Sequence, residues 1–497
     1  MILTSEQVDA GQRPRPAGLR EWTGLGVLAL PTLLLAMDVS VLYLAMPRLA
    51  AELRPSGQQL LWITDGYGFM IAGLLVPMGA LGDRIGRRRL LLWGAGAFGA
   101  VSAGAAFAPN AEALVAARVL LGIAGATLMP ATLALISTMF QDARQRGTAI
   151  GVWAASMSGG VALGPVVGGA LLESFGWGAA FLIALPVMAL LLATGPLLLP
   201  EHRNSTAGRP DLASVALSLV ALLSVVYGIK ALSHGGGPLT GGGAVLVGLA
   251  AGTAFWRRQR RLTDPLLEVS LFRDRAFTGA LLVLVLGLTV TAGTYLFVTR
   301  FLQGVQGLSP LAAGLWLVPS SLAMLVTSLA APVLVRWSST RVVIAGALAL
   351  SAVGFALLAL LDRSAGLPLL VTGIVIVYLG QGPIMALITE LVVGSAPPEK
   401  AGSAAAVSET GTELGLALGV AVMGSIGAAV YHHAAPAAGD SLESAASSVA
   451  ALPSGQAAAV LDSAREAFIL GFNLVAGIGA AVSLGLAVLV LFALRQR

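Results

Sequence analysis

Cysteine is absent from all 497 residues. That excludes disulfide staples, thiolate nucleophiles and Cys-ligated metal centres, and leaves the compartment open. Charge is scarce too: Asp, Glu, Lys and Arg make up 11% of the chain, against about 25% in soluble domains. So few charges do not wet a surface of this length, and lipid must solvate much of it. Histidine is limited to His202, His234, His432 and His433, all in loops or at the ends of apolar runs. The adjacent pair His432–His433 reads as an exposed doublet, and there is no HExxH, so no metal site is expected. A phosphate-binding P-loop is missing as well, so ATP is not expected to drive the protein, and no cofactor is expected.

What is present is apolar. Hydrophobic residues make up 57% of the chain, and its 62 glycines suit close helix packing in a bilayer. Runs of roughly 20 mostly apolar residues, the length of a transmembrane helix, can be read fourteen times. They lie at 24–46, 59–81, 89–108, 112–138, 145–172, 177–199, 212–233, 240–257, 274–302, 309–334, 341–361, 366–394, 401–431 and 467–494. Such runs are too long for barrel strands, which leaves helices as the only spanning structure. The first run follows Arg13, Arg15 and Arg20 and is longer than a signal-peptide core, so it reads as an uncleaved span.

An even number of spans puts both termini on one side. With the termini in the cytoplasm, about 22 Lys and Arg fall on inner loops and ends and about 5 outside, as the positive-inside rule requires. The richest inner loop, Trp256–Phe277, holds Arg257, Arg258, Arg260, Arg261, Arg273 and Arg275. The net charge of +5 thus follows from topology, and no nucleic-acid partner is expected. Apart from arginines within two residues of a span end (Arg89, Arg146, Arg257, Arg275, Arg300 and Arg341), only Arg118 and Lys230 lie inside spans. One long outer loop, Tyr431–Ala467, carries Asp440, Glu443, Asp462 and Glu466 and reads as two short amphipathic helices, 440–451 and 456–467, around Pro453.

Three motifs sit on this frame. After the second span comes GALGDRIGRRRLLL, with Gly79, Asp83, Arg84, Gly86, Arg87 and Arg88 in order. Gly86 permits a tight turn, and Asp83 can cap the next helix and pair with an arginine. The string strongly resembles the signature loop of the major facilitator superfamily, which implies a cytoplasmic charge latch between core helices two and eleven. The fourth span holds RVLLGIAGA, with Arg118 inside the membrane. A buried arginine is a functional candidate by default, a snorkelling arginine being the alternative. Its position resembles the superfamily motif whose arginine influences proton transfer. The fifth span holds GGVALGPVVGGALLE, with Gly160, Gly164, Pro165, Gly168 and Gly169. This resembles the antiporter motif of exporters, which importers usually lack.

Together with AMDVSVLYLAMP, LWITDGY and DPLLEVSLFRDRAF, these motifs resemble the fourteen-span drug/proton antiporter branch of that superfamily, which includes exporters of quaternary ammonium compounds and cationic dyes. The resemblance covers nearly the whole chain. It implies an all-α major facilitator fold: a cytoplasmic segment 1–23, a six-helix bundle 24–199, two inserted helices with a basic loop at 200–273, and a second six-helix bundle 274–494 including the outer loop 432–466.

A transporter of lipophilic cations needs carboxylates inside the membrane that hold a proton or release it to a bound cation. The candidates are Asp38, Asp65, Glu409 and Glu413. Spacing by four places Glu409 and Glu413 on one helix face, roughly 12 and 18 Å from the inner end of their span. Asp38, Asp65 and Arg118 are assigned to proton coupling, and Glu409 and Glu413 to cation binding. Tyr295 and Trp316 are candidate aromatic faces for a cation, with Trp62, Tyr67, Phe301 and Tyr378 as further rings, although Trp and Tyr also favour membrane interfaces. Glu390 is expected to face water. The apolar stretch Leu322–Met324, where some relatives carry an acid, argues against divalent cations. The expectation is a monomeric, multi-pass, non-enzymatic antiporter of the cytoplasmic membrane that moves hydrophobic or cationic small molecules against protons. A dedicated exporter of one endogenous metabolite or antibiotic is the close alternative, and a non-transporting receptor or scaffold the distant one.

Overall fold

An apolar run in lipid must satisfy its own backbone, and every expected span becomes a helix. The computed structural model describes residues 17–201, 211–233, 238–262, 265, 267, 269–362, 366–394, 401–436, 439, 441–448 and 454–493. The helices are α1 (Leu19–Leu53), α2 (Gly57–Ile85), α3 (Arg87–Ala106), α4 (Ala111–Met139), α5 (Ala143–Phe175), α6 (Ala179–Leu182) and α7 (Ala184–Leu198). They continue with α8 (Leu212–Ser233), α9 (Pro238–Gln259), α10 (Arg275–Arg300), α11 (Pro310–Trp337), α12 (Thr340–Leu358), α13 (Gly366–Gly394), α14 (Ala401–Leu418), α15 (Gly424–Ala434), α16 (Leu442–Ser448) and α17 (Ser454–Ala493). Among the described residues, eleven helices are long and apolar enough to cross a bilayer, or up to twelve with the bent α5 counted. The second and third expected spans are helical too, as α2 and α3. In α3 the opening arginines Arg87–Arg89 dilute the hydropathy.

Local chemistry sets the ends and bends. The side chains of Ser56, Asn110, Asp142 and Ser309 accept from backbone N–H groups in the first turns of α2, α4, α5 and α11. The 44° bend of α5 falls between Val161 and Leu163. Pro165 has no N–H for the carbonyl of Val161, four residues earlier, so the ladder opens there. Five-residue π segments, Phe301–Val305 and Gly419–Met423, follow α10 and α14. The outer loop differs from expectation. Its first short helix is α16, whereas the stretch expected as a second is the first part of α17. The Ala-rich run from Gln456 meets no helix breaker before the apolar span, so one helix continues through both. Pro453, between the two, lies outside the described residues.

The packing repeats. α1 lies against α5 and α7, α2 against α4, and α3 against α4 and α7. Farther along, α10 lies against α14 and α17, α11 against α13, and α12 against α13 and α17, which is the same scheme with new members. The two sets meet through α2 on α14 and α5 on α11. α8 and α9 form a hairpin, and α8 also leans on α2 and α15. Beside this hairpin, Arg258 donates to both carboxylate oxygens of Asp211 at 2.7 and 2.9 Å. Those hydrogen bonds, joined by one from Ser214, hold the Asp211 carboxyl well below the usual carboxylate range.

The glycines of α5 make two faces. Gly160, Gly164 and Gly168 form a stripe against Leu33, Ser40 and Val41 of α1, where a β-carbon would strike the facing atoms. A different face meets α11 reciprocally. Gly169 lies against Pro310 and Leu311, and Gly314 against the carbonyl of Pro165, so a P-x-x-x-G segment on each helix receives the other. This crossing sits at the rim expected to lie outside. The largest core cluster also bridges both sets of helices there, joining Leu42 and Val41 to Phe297, Phe301 and Leu442. A second cluster, around Leu284, Ile344, Ile388 and Val490, belongs to the later set alone.

Gly314→Ala is therefore expected to push α5 and α11 apart and lower the unfolding midpoint in detergent, with an overpacking penalty on the order of 1–3 kcal/mol. Gly346→Ala, where a β-carbon meets open space, is the control. Equal midpoints for the two variants would show that the crossing carries no stability.

Candidate functional site

Three helices of the first set bring Asp38, Arg118 and Tyr67 together. Arg118 on α4 is 1% exposed, and its Nη1 donates to Asp38 Oδ2 of α1 at 2.8 Å. Its Nε donates to the carbonyl of Ile63 on α2 at 2.9 Å. The guanidinium carbon stands 4.5 Å from the centroid of the Tyr67 ring, also on α2. One side chain thus uses its planar fork on a carboxylate and a carbonyl and its face on an aromatic ring. Full burial rules out snorkelling. Gly122 on α4 lets that helix approach the Tyr67 backbone, and Gly125 faces the edge of the ring. The Tyr67 hydroxyl is buried with no hydrogen-bond partner.

Glu413 on α14 is 8% exposed. It lies within electrostatic reach of Tyr67, as does Asp38, so the tyrosine stands between a carboxylate of each helix set. Contact between α2 and α14 explains this: one residue beyond Tyr67, a β-carbon on Gly68 would touch Ala417, one turn beyond Glu413. Glu409 is half-buried, close enough to Glu413 to act on it, and its Oε1 is buried without a partner. Asp65 is 2% exposed on α2 and acts electrostatically on Tyr43, as do Arg118 and Arg300. Glu390 is exposed, as expected. The side chain of Lys230 lies outside the described residues.

Tyr295 joins an aromatic row. Its centroid is 5.9 Å from Tyr43 on α1 and 6.4 Å from Tyr378 on α13. One turn along, Thr291 and Gln381 are both buried, Thr291 donating to Gln381 Oε1 at 3.3 Å. That bond fixes the amide and leaves Nε2 buried as an unused donor. Trp316 stands elsewhere, 42% exposed on α11 and in no ring–ring contact among the described residues. Sequence reasoning passed over Tyr43, Gln381 and Thr291. The signal available was a polar group in an otherwise apolar span, which is weak for Thr and Tyr because both tolerate burial.

The basic loop is also placed. Gly86 has φ of +114°, a conformation that suits glycine, and a side chain there would meet the Glu201 carboxylate. Arg87 donates to the Ala134 carbonyl of α4 at 3.1 Å, and Arg88 to the Pro196 and Leu199 carbonyls at the end of α7 at 3.3 and 3.0 Å. Arg88 and Arg89 approach Glu201 at 3.6 and 3.8 Å. The arginines thus cap helix C-termini within their own set of helices, where cations are favoured. Arg84 is exposed, and Gly79 meets Pro130. The Asp83 side chain, and those of the first residues of α14 that the expected latch would engage, lie outside the described residues.

The Major Facilitator Superfamily model matches residues 28–420, and the chain belongs to that family of transporters. It is 42% identical to the multidrug efflux pump LfrA of Mycolicibacterium smegmatis, over 96% of this chain and 97% of that one. It is 36% identical to the methyl viologen resistance protein SmvA of Salmonella typhimurium, over 96% and 99%. It is 31% identical to the tetracenomycin C resistance and export protein of Streptomyces glaucescens, over 84% and 76%. Among solved structures, a bacterial homolog of the human lysosomal transporter Spinster, inward-facing and unoccupied, superposes with a TM-score of 0.64 at 17% identity, over 96% of this chain and 99% of that one, which shows the shared fold. The chain is a multi-pass protein of the cytoplasmic membrane.

Arg118→Met is expected to destabilise the protein by about 3–5 kcal/mol, because a buried carboxylate loses its counter-charge. Adding Asp38→Asn should recover part of that loss. Thermal unfolding in detergent reads both, and a double variant no more stable than Arg118→Met would deny that the pair is the source.

Proposed function

We propose that this chain is a fourteen-span proton-coupled antiporter that exports hydrophobic, mainly cationic compounds, with both termini in the cytoplasm. Its bundles are 24–199 and 274–494, with 200–273 inserted between them. One observation carries the reading: Asp38 with Arg118 from one bundle, and Glu413 from the other, converge on Tyr67. Buried acids at the seam between two helix sets are costly to keep without a role. The printed names of the relatives, a multidrug efflux pump and a methyl viologen resistance protein, support the substrate class and the direction of transport.

The chemistry follows from competition. Arg118 and a proton compete for Asp38: when the carboxylate takes the proton, the ion pair loosens, and when it releases the proton, the pair re-forms. At Glu409 and Glu413, a proton and a cationic substrate compete for the same buried charge. Tyr67 lies in the field of both acids, with its ring face held to Arg118 and its hydroxyl able to donate to a carboxylate. Alternating access then turns inward proton flow into outward cargo flow. In this orientation, the reciprocal crossing of α5 and α11 and the core around Phe297 and Phe301 close the outer side, so cargo would enter from the cytoplasm. The aromatic row of Tyr43, Tyr295 and Tyr378 offers faces for a cationic cargo. The Gln381 amide supplies a hydrogen-bond donor for carbonyl-bearing compounds.

A dedicated exporter of one self-made antibiotic is the second reading, supported by the names of relatives such as the tetracenomycin C export protein. Ethidium efflux from inverted vesicles separates these readings. Asp38→Asn should abolish efflux driven by a pH gradient while ethidium binding persists. Glu409→Gln/Glu413→Gln should lose cationic substrates far more than neutral ones. Gradient-driven efflux by Asp38→Asn at the parent rate would remove it from the coupling, and equal loss of cationic and neutral cargo would reject the cation site.

A further inference from the structure

A cavity just large enough for one water molecule lies beside Asp38, on the side of the bundle away from α14. Its walls are Met37 and Asp38 of α1, Phe98 and Ser102 of α3, and Phe181 and Ala184 where α6 meets α7. Asp38 is 13% exposed while its partner Arg118 is 1% exposed, so the carboxylate, not the guanidinium, retains accessible surface. The chain is interrupted at this wall. Helix α6 stops at Leu182 and α7 begins at Ala184. Pro186 has no N–H to offer the Leu182 carbonyl four residues back, so the helical ladder breaks next to this wall. A serine hydroxyl, a break in the helix and room for a single water thus coincide beside a half-buried acid in an otherwise apolar bundle.

The location is as informative as the lining. Ser102 is four residues from the end of α3, about 6 Å, and Phe181 lies in the first turn after the loop that joins α5 to α6. In the orientation proposed above, both are close to the outer surface, yet the seam between the helix sets is closed on that side. The groups facing Asp38 are Arg118 from α4 and Tyr67 from α2, so the guanidinium separates the cavity from Glu413. A fixed positive charge at that point blocks a hydronium from passing onward into the seam.

We infer that this cavity between α1, α3 and α6 is a proton inlet: a water site that exchanges protons between the outer side and Asp38 by a route separate from the drug cavity, with Arg118 as the barrier between them. The inference rests on the proton-coupling reading. It explains how one carboxylate exchanges protons with the outside without opening the path that carries cargo.

The test fills the cavity without touching Asp38. In proteoliposomes of the full chain, with ethidium as cargo and a trapped pH dye, Ser102→Leu should slow gradient-driven proton exchange and efflux by about tenfold, a barrier increase of about 1.4 kcal/mol. Ethidium affinity in detergent, which also reports folding, should stay within about twofold of the parent, because the filled site is not the cargo site. Adding Phe98→Ala to Ser102→Leu reopens space and should restore much of the rate. Where Ser102→Leu fails to bind ethidium, Ala184→Val is judged by the same criteria. Parent-like exchange in the filled variant, or no recovery on reopening, overturns the inlet. Persistent coupling in Asp38→Asn instead overturns the coupling reading itself, so the two failures are distinguishable.

Discussion

A guanidinium and a carboxylate held 2.8 Å apart inside a lipid-solvated bundle are the interaction on which the rest depends. Neither charge tolerates the bilayer interior alone, and as a pair they persist only while each stays hydrogen-bonded. Arg118 achieves this by spending its remaining groups on the Ile63 carbonyl and the Tyr67 ring. The pair therefore ties α1, α2 and α4 into one unit. In the proposed mechanism, anything that neutralises Asp38 loosens three helices together, so a single proton has structural leverage.

The second half of the molecule is placed to receive that leverage. α14 brings Glu413 to the same tyrosine, and α2, the helix that carries the tyrosine, is also the one that touches α14. Away from this seam the two sets of helices are joined by close backbone contact. The reciprocal P-x-x-x-G crossing of α5 and α11 has no charge in it and no long side chain. Small residues give such an interface a large contact area at short range that is lost abruptly on separation, which suits a closure that must form and break. In the proposed mechanism, charge at the seam senses and smooth backbone contact at the rim seals.

Most of the helices and the acids were legible in the sequence because both violate an average: long apolar runs in one case, charge inside them in the other. Asp38, Asp65, Arg118, Glu409 and Glu413 announce themselves this way; Asp65, Arg118 and Glu413 are buried, Asp38 and Glu409 half-buried. The glycines of α5 were legible as a packing motif, but their division into an α1 face and an α11 face depends on the bend at Pro165 and on a partner 145 positions onward, Pro310. Tyr43, Gln381 and Glu201 were missed for a related reason: each becomes informative only through what faces it. Trp316 shows the reverse, since an aromatic residue in a span is as well suited to a lipid-facing surface as to a binding site.

The central claim is that proton and cargo compete for the same buried carboxylates. Proton release on cargo binding tests it most directly: add ethidium to the purified chain in weakly buffered detergent and follow a pH dye. The account predicts protons released in step with binding, and ethidium affinity that rises with pH as the acids discharge. Binding at full occupancy with no proton released, and an affinity that does not change with pH, would contradict it.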